Sequence, residues 1–305
     1  MVSLDDVVNK LDEELKIKSY GKDTAFSRFI PDVYDPLNFD WRSMFESDFT
    51  KLFNGLMLKG AAEIKNVFLA VFPTDYVLDR FIKESNKGDL LFMHHPILME
   101  CGDPKGKWGR GFVPIKEYYI KKIKDKSLSV YTCHLPLDYH ERLGTSVAIA
   151  KALNANIIDG FLPNDNGQNL ILICNIEEIH TNALERKLVE IFEIPYVDFE
   201  GKRLDNISKI AIVAGCGDKV DWMKEAEAKG VQAYITGEIH CHIDNDYGKL
   251  KYEKMINYAK YTSMSLIGVS HSASEYLVKK TQIKKWFENS FGVNTILLPQ
   301  EKWWL

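Results

Sequence analysis

From Asn66 onward the chain alternates short apolar runs with amphipathic stretches, and this alternation restricts the fold more than any other feature. "NVFLAVF" (66–72) has the length and continuous apolarity of a strand buried on both faces. "DYVLDRFIKESNKG" (75–88) follows with helical periodicity and a closing glycine that predicts a helix stop at Gly88. "LLFM" (90–93) is the next strand, "VPIKEYYIKKIKDK" (113–126) the next helix, "LSVYTC" (128–133) a third strand and "LGTSVAIAKALN" (143–154) a third helix. Strands alternating with helices predict an α/β chain with mostly parallel central strands.

The same order recurs later. "KIAIVAG", "KVDWMKEAEAKG", "VQAYIT", "YEKMINYAKYT", "MSLIGVS" and "EYLVKKTQIKKWFENSF" run strand, helix, strand, helix, strand, helix. Gly88 and Gly230 close corresponding helices. "HLPLD" (134–138) corresponds to "HSASE" (271–275), each a strand followed by His, three residues and an acid. An internal duplication of a βαβαβα unit explains this, although any two α/β halves share some of the pattern. The expected organisation is one domain over 1–305 with lobes of roughly 1–155 and 156–305 and interlocked ends. "MVSLDDVVNKLDEEL" reads as a helix capped by Ser3, with Leu4, Val7, Val8, Leu11 and Leu15 on one face, and not as a signal peptide. Residues 18–54 read as an aromatic, loop-rich segment without assignable elements.

The strand ends carry the chemistry. Of eight histidines, His94 and His95 follow "LLFM", His134 follows "LSVYTC", and His271 follows "MSLIGVS"; His240 and His242 follow "YITGE". Ligands of parallel α/β sheets bind at the carboxyl ends of the strands, so residues far apart in sequence can meet there. Imidazoles and carboxylates suit Zn, Mn, Fe, Co or Ni, and this set does not suggest a thiolate site. His94, His95, His134, Asp138, His271 and Glu275 offer more ligands than one four-coordinate ion needs; two ions roughly 3.5–4 Å apart would use them. Each residue also has a plain structural role open to it: the histidines as strand-end polar groups, Asp138 as a helix-start acid, Glu275 as a capping partner of Ser272. His140 and His180 read as surface residues. Lys105, Lys107 and Arg110, in the Gly- and Lys-rich loop "CGDPKGKWGRGF", could meet an anionic substrate, or that loop could simply be solvated. Neither a phosphate-binding fingerprint nor a Ser/His/Asp hydrolase signature occurs.

A net charge of −4 over 305 residues supplies no general field for nucleic acid or anionic membrane. No run approaches the roughly 18 apolar residues of a membrane span. The five cysteines include no C-x-x-C pair, which fits reduced thiols and a cytoplasmic location.

"NGLMLKG", "MHHPI", "YTCHLPLDYHERLG", "YITGEIHCH" and "GVSHSASE" together resemble the NIF-three-like family, also known as GTP cyclohydrolase I type 2 homologues. The resemblance spans roughly Asn54 to Glu275. It implies a two-lobed α/β fold with duplicated βαβ-type units and a metal site in the cleft between the lobes. It further implies two divalent transition-metal ions per chain, held by His94, His95, Asp138, His271 and Glu275, with Glu275 bridging. It places His134 beside the site and His242 on the substrate side; His134 and Glu275 are the expected catalytic residues, His134 as a proton shuttle to which an imidazole's ordinary pKa of about 6.5 is suited. The resemblance also implies a homo-oligomer, a hexameric ring in the family. The longer aromatic segment before Asn54 and the loop after Pro96 depart from the family pattern, which bears on substrate selection.

The expectation is therefore a metal-dependent hydrolase that acts on a small anionic or nucleotide-like molecule through a metal-bound hydroxide. The alternative is a non-catalytic metal-binding, scaffold or regulatory protein. "EKWWL" at the C-terminus either docks on the body of the chain or meets a partner.

Overall fold

The structure, a computed structural model, describes residues 2–305. The chain forms two compact units. One comprises the chain up to Met99, Phe112–Leu137 and Lys279–Glu301; the other comprises Glu100–Gly111, Asp138–Val278 and Lys302–Leu305.

The first unit is built on three parallel strands, β1 (Asn66–Leu69), β2 (Leu90–Met93) and β3 (Ser129–Thr132). Helices Asp75–Glu84 and Glu117–Asp125 make the crossovers. Strand Asn294–Leu297 adds in parallel beside β1, and Gly55–Leu58 closes the other edge antiparallel to β3. Every residue of β2 and β3 is buried, which is why both runs lack polar alternation.

The second unit repeats the parallel trio with β4 (Ile207–Cys216), β5 (Ala233–Glu238) and β6 (Ser265–Gly268). Its crossover helices are Val220–Ala228 and Asp246–Ala259. Strands Asn169–Ile179 and Asn156–Pro163 extend the β4 side, and Asp198–Gly201 covers β6, each antiparallel to its neighbour.

Several expectations need correction at this level. The first crossover helix stops at Glu84, because Ser85 is already extended and Gly88, at φ +91°, belongs to the turn that follows. The final helix is not continuous. It runs His271–Val278, passes through a π-turn at Lys279–Ile283, and resumes at Lys284–Phe291. The π-turn falls where the chain leaves one unit and enters the other. Residues 18–54 hold four helices, Ile17–Tyr20, Phe26–Tyr34, Trp41–Met44 and Phe49–Leu52. They form because Tyr34, Trp41, Phe45 and Phe49 bury their rings in the first unit's core. Tertiary burial, at about 25 cal/mol per Å² of apolar surface, outweighs the low local propensity of these short helices.

The N-terminal helix is Leu4–Glu14, with the Ser3 hydroxyl accepting from the Asp6 N–H; Leu4, Val7, Leu11 and Leu15 are buried, and Val8 half so.

Candidate metal centre

In the first unit the carboxyl ends of β2 and β3 gather three histidines. β2 stops at Met93, and the N–H groups of His94 and His95 both donate to the Val71 carbonyl, at 3.2 and 3.0 Å. Two consecutive amides on one acceptor break strand alternation, so the side chains need not point to opposite faces. The rings of His94 and His95 meet edge-on with centroids 4.7 Å apart, and His134 stands 5.3 and 5.0 Å from them. One ring nitrogen from each of the three lies within 4.8 Å of the others.

Their tautomers are constrained. The Nδ1 of His94 lies 2.7 Å from the Cys133 carbonyl, which can only accept, so Nδ1 carries a proton and a neutral His94 would ligate through Nε2. The Nδ1 of His134 lies 2.9 Å from Asp23 Oδ2. Asp23 is fully buried. Burial opposes its charge, but the His134 ring and two N–H donors, Phe26 and Ala25, hold its pKa below the ordinary carboxylate value. Asn54 fixes the same histidine by accepting from the His134 N–H at 2.8 Å. His95 stacks on Phe72 with centroids 4.3 Å apart and meets Phe26 edge-on. A carboxylate or carbonyl behind an imidazole is the usual support of a metal-binding histidine.

In the second unit the ends of β4, β5 and β6 gather a different set. His271 opens the helix after β6, and the residue before it, Ser270, sits at φ +71°. That conformation is costly for a non-glycine residue and persists because its surroundings enforce it. The Ser270 hydroxyl donates to the Trp303 carbonyl, and the Ser272 hydroxyl donates to the same oxygen at 2.8 Å. Trp304 is buried and stacks on Tyr196, so "EKWWL" docks within its own unit. His271 Nε2 lies 3.0 Å from Glu275 Oε1, one helical turn on. Gly215, at φ +69°, lets this pair approach β4, since a Cβ there would stand 2.4 Å from Glu275 Oε1. Gly237 does the same for β5, where a Cβ would stand 2.8 Å from the His271 Cα. Burial works against a charged His271, but Glu275, Cys216 and Glu238 hold its pKa well above the ordinary histidine value.

Asp138 closes the short helix Leu135–Asp138 and accepts from the Thr145 hydroxyl at 2.8 Å. His242 is buried, edge-on to Trp108 at 5.3 Å and beside His240 at 5.2 Å. His240 is paired with Asp198 at 2.6 Å and Glu200 at 3.3 Å. Against its burial, those carboxylates raise its pKa to about 9, so the pair favours the charged ring. Burial and the His240 charge lower the His242 pKa, so His242 is neutral and can accept a hydrogen bond. His140 caps the turn at Arg142 and Leu143, and His180 caps the helix Thr181–Phe192.

Of the three loop cations, Arg110 is forked onto Glu100 and Lys105 lies over the Tyr196 ring. The loop itself docks through Gly109, whose N–H donates to the His242 carbonyl at 2.7 Å.

Sequence reasoning missed Asp23, Asn54, Cys101, Cys216 and Glu238. It set thiols aside, yet Cys101 and Cys216 each bring a sulfur within 3.6 Å of His271 Nδ1. Only "GKDTAF", an Asp ahead of a helix, and the acid of "YITGE" carried a local signal. Several buried His, Glu and Cys groupings could thus hold a metal ion.

Comparison with known proteins fits this picture. A family model described as Duf34/NIF3 (NGG1p interacting factor 3) matches residues 50–302. A GTP cyclohydrolase 1 type 2 homolog of Pyrococcus abyssi is 29% identical over 250 residues, covering 80% of this chain and 88% of that protein. One from Pseudomonas aeruginosa is 24% identical over 223 residues, covering 73% and 79%. Among solved structures, protein ybgI, described as of unknown function, superposes with a TM-score of 0.69 at 17% identity over 98% of this chain and 99% of that one. Reduced HcgD from Methanocaldococcus jannaschii gives 0.62 at 18% identity, over 98% of each chain.

Proposed function

The chain belongs to the Duf34/NIF3 family, and we propose that it is a dinuclear metal-dependent hydrolase acting on a small anionic or nucleotide-like molecule. His94, His95, Asp138, His271 and Glu275 are the proposed ligands, as the family resemblance implies. The observation that carries the reading is the His94–His95–His134 cluster, with His94 and His95 buried and His134 half-buried, in which the Cys133 carbonyl and Asp23 engage Nδ1 of His94 and His134. The donor chemistry fits borderline divalent ions such as Zn, Fe, Mn, Co or Ni. Such ions supply Lewis-acid charge to a substrate oxygen and acidify water.

The chain's own residues do the rest. His134 holds or moves a proton at Nε2, and Asp23 stabilises the ring when it is charged. Phe26 and Phe72 wall His95 off from water. His242, neutral and buried, accepts from a substrate donor. The homo-oligomer implied by the resemblance has support in the edge strand Asn156–Pro163, which exposes Ile157 and Ile158.

The test is elemental analysis of chelator-free protein, followed by a turnover screen on nucleotides, phosphoesters and amides. At least about two equivalents of transition metal per chain are expected, falling in the double variant His94→Ala/His95→Ala together with the rate. Unchanged metal content in that variant refutes the ligand assignment. A fully loaded protein that turns over nothing refutes the hydrolase.

A further inference from the structure

Cys101, Cys216, Glu238 and His271 form a second donor set, entirely within the second unit, that the proposed function does not use. Its dimensions are specific. Cys101 Sγ and Cys216 Sγ each lie 3.6 Å from His271 Nδ1. Cys216 Sγ lies 3.2 Å from Glu238 Oε2, and His271 Nδ1 lies 3.4 Å from Glu238 Oε1. All four donor atoms fall within 4.8 Å of one another. A tetrahedral ion with metal–sulfur bonds of about 2.3 Å and metal–nitrogen or –oxygen bonds of about 2.0–2.1 Å has ligand–ligand edges of roughly 3.3–3.6 Å, and a sulfur–sulfur edge near ~3.8 Å. The observed edges are already close to those of such a cage.

The fold explains how the four meet. Cys216 and Glu238 end the adjacent strands β4 and β5 and pair with each other in the sheet. His271 opens the helix after β6, and Cys101 enters from the Glu100–Gly111 segment of the same unit. Cys101, Glu238 and His271 are buried and Cys216 half-buried, so the set is shielded as structural ions are.

We propose that these four side chains constitute a thiolate-type site for one divalent ion of zinc character, separate from the imidazole–carboxylate pair of the proposed function. Binding displaces the two S–H protons and any proton on His271 Nδ1, all of which leave to solvent, and the ion takes both thiolates, one Glu238 oxygen and the Nδ1 lone pair so exposed. No electron is transferred. Nε2 of the same ring then carries the ring proton towards Glu275 Oε1, 3.0 Å away, so His271 can serve both sets at once only as a bridging imidazolate, with that proton also lost to solvent.

Cobalt(II) is the probe. Anaerobic titration of the reduced, metal-free chain is expected to give an intense near-ultraviolet thiolate-to-cobalt charge-transfer band that added zinc abolishes. The band is expected to persist in His94→Ala/His95→Ala, which separates this site from the hydrolytic reading. It is expected to weaken in Cys101→Ser and in Cys216→Ser, and to vanish in the double variant with the loss of about one equivalent of metal. Circular dichroism establishes that the serine variants are folded. Absence of the band in the wild-type chain at saturating cobalt overturns the proposal whatever the variants do. So does a band that survives the double substitution, or mass spectrometry that finds Cys101 and Cys216 joined as a disulfide under the same reducing conditions.

Discussion

Gly215→Ala separates the cost of the backbone from the cost at the site. Gly215 sits at φ +69°, and a Cβ built there stands 2.4 Å from Glu275 Oε1 and 3.2 Å from His271 Nε2. An L-residue in left-handed backbone costs about 1–2 kcal/mol. The steric conflict resolves differently, because the nearest atom is the tip of a side chain. Glu275 retreats by roughly 1 Å to restore van der Waals contact, which costs little stability but moves the proposed bridging oxygen. The expected result is a fall in melting temperature of a few degrees, together with a loss of metal affinity of at least about 10–100-fold. Gly230→Ala is the control. It has φ +76° and nothing nearer than Lys209 Nζ at 4.0 Å, so it carries the backbone cost alone. Thermal scans and calorimetric metal titration of both variants provide the comparison. If Gly215→Ala binds metal like Gly230→Ala, Glu275 is not a ligand, and the reasoning fails.

Two further outcomes follow from structure away from the ligands. Glu227 is held below the usual glutamate pKa despite burial, by the Ser263 N–H and the Ser263, Tyr258 and Thr262 hydroxyls. A depressed carboxylate stabilises the fold above its unfolded pKa, and that stability is lost as pH falls through the folded value. The stability gap between the wild type and Glu227→Gln should therefore be full at neutral pH and shrink below about 4.5, as read by urea unfolding at a series of pH values; a gap independent of pH contradicts the assignment. Trp304→Ala removes a buried indole stacked 5.7 Å from Tyr196 and should destabilise the chain by about 3–5 kcal/mol in denaturant unfolding, with metal content unchanged; an unshifted unfolding midpoint removes the docking role of the C-terminus.

What could be read from the sequence divides along physical lines. The two parallel trios were legible because strands buried on both faces must be continuously apolar, and "LLFM" and "AYIT" state this locally. His94, His95 and His134 were legible as strand-end residues of the first unit because topology sends the ends of its parallel strands to one edge, and His271 likewise follows a parallel strand of the second. The aromatic helices of 18–54 were not, since Tyr34, Trp41 and Phe49 become helical through burial against strands far along the chain. Asp23 lies in that same segment, so the carboxylate behind His134 was hidden with it.

Cys101 and Cys216 were hidden for a different reason. A thiol pair is legible when both sulfurs come from one turn, as in C-x-x-C, because spacing alone then fixes the distance. Here one sulfur ends β4 and the other arrives from the Glu100–Gly111 segment, and only the fold brings both to His271 Nδ1. His271 could not reveal them either. The sequence pairs it with Glu275 through the helical i, i+4 spacing, which accounts for Nε2 and leaves the second ring nitrogen unassigned. Because that second nitrogen meets both thiols and Glu238, a change at His271 should disturb both donor sets, whereas changes at Cys101 or at His94 should each disturb one.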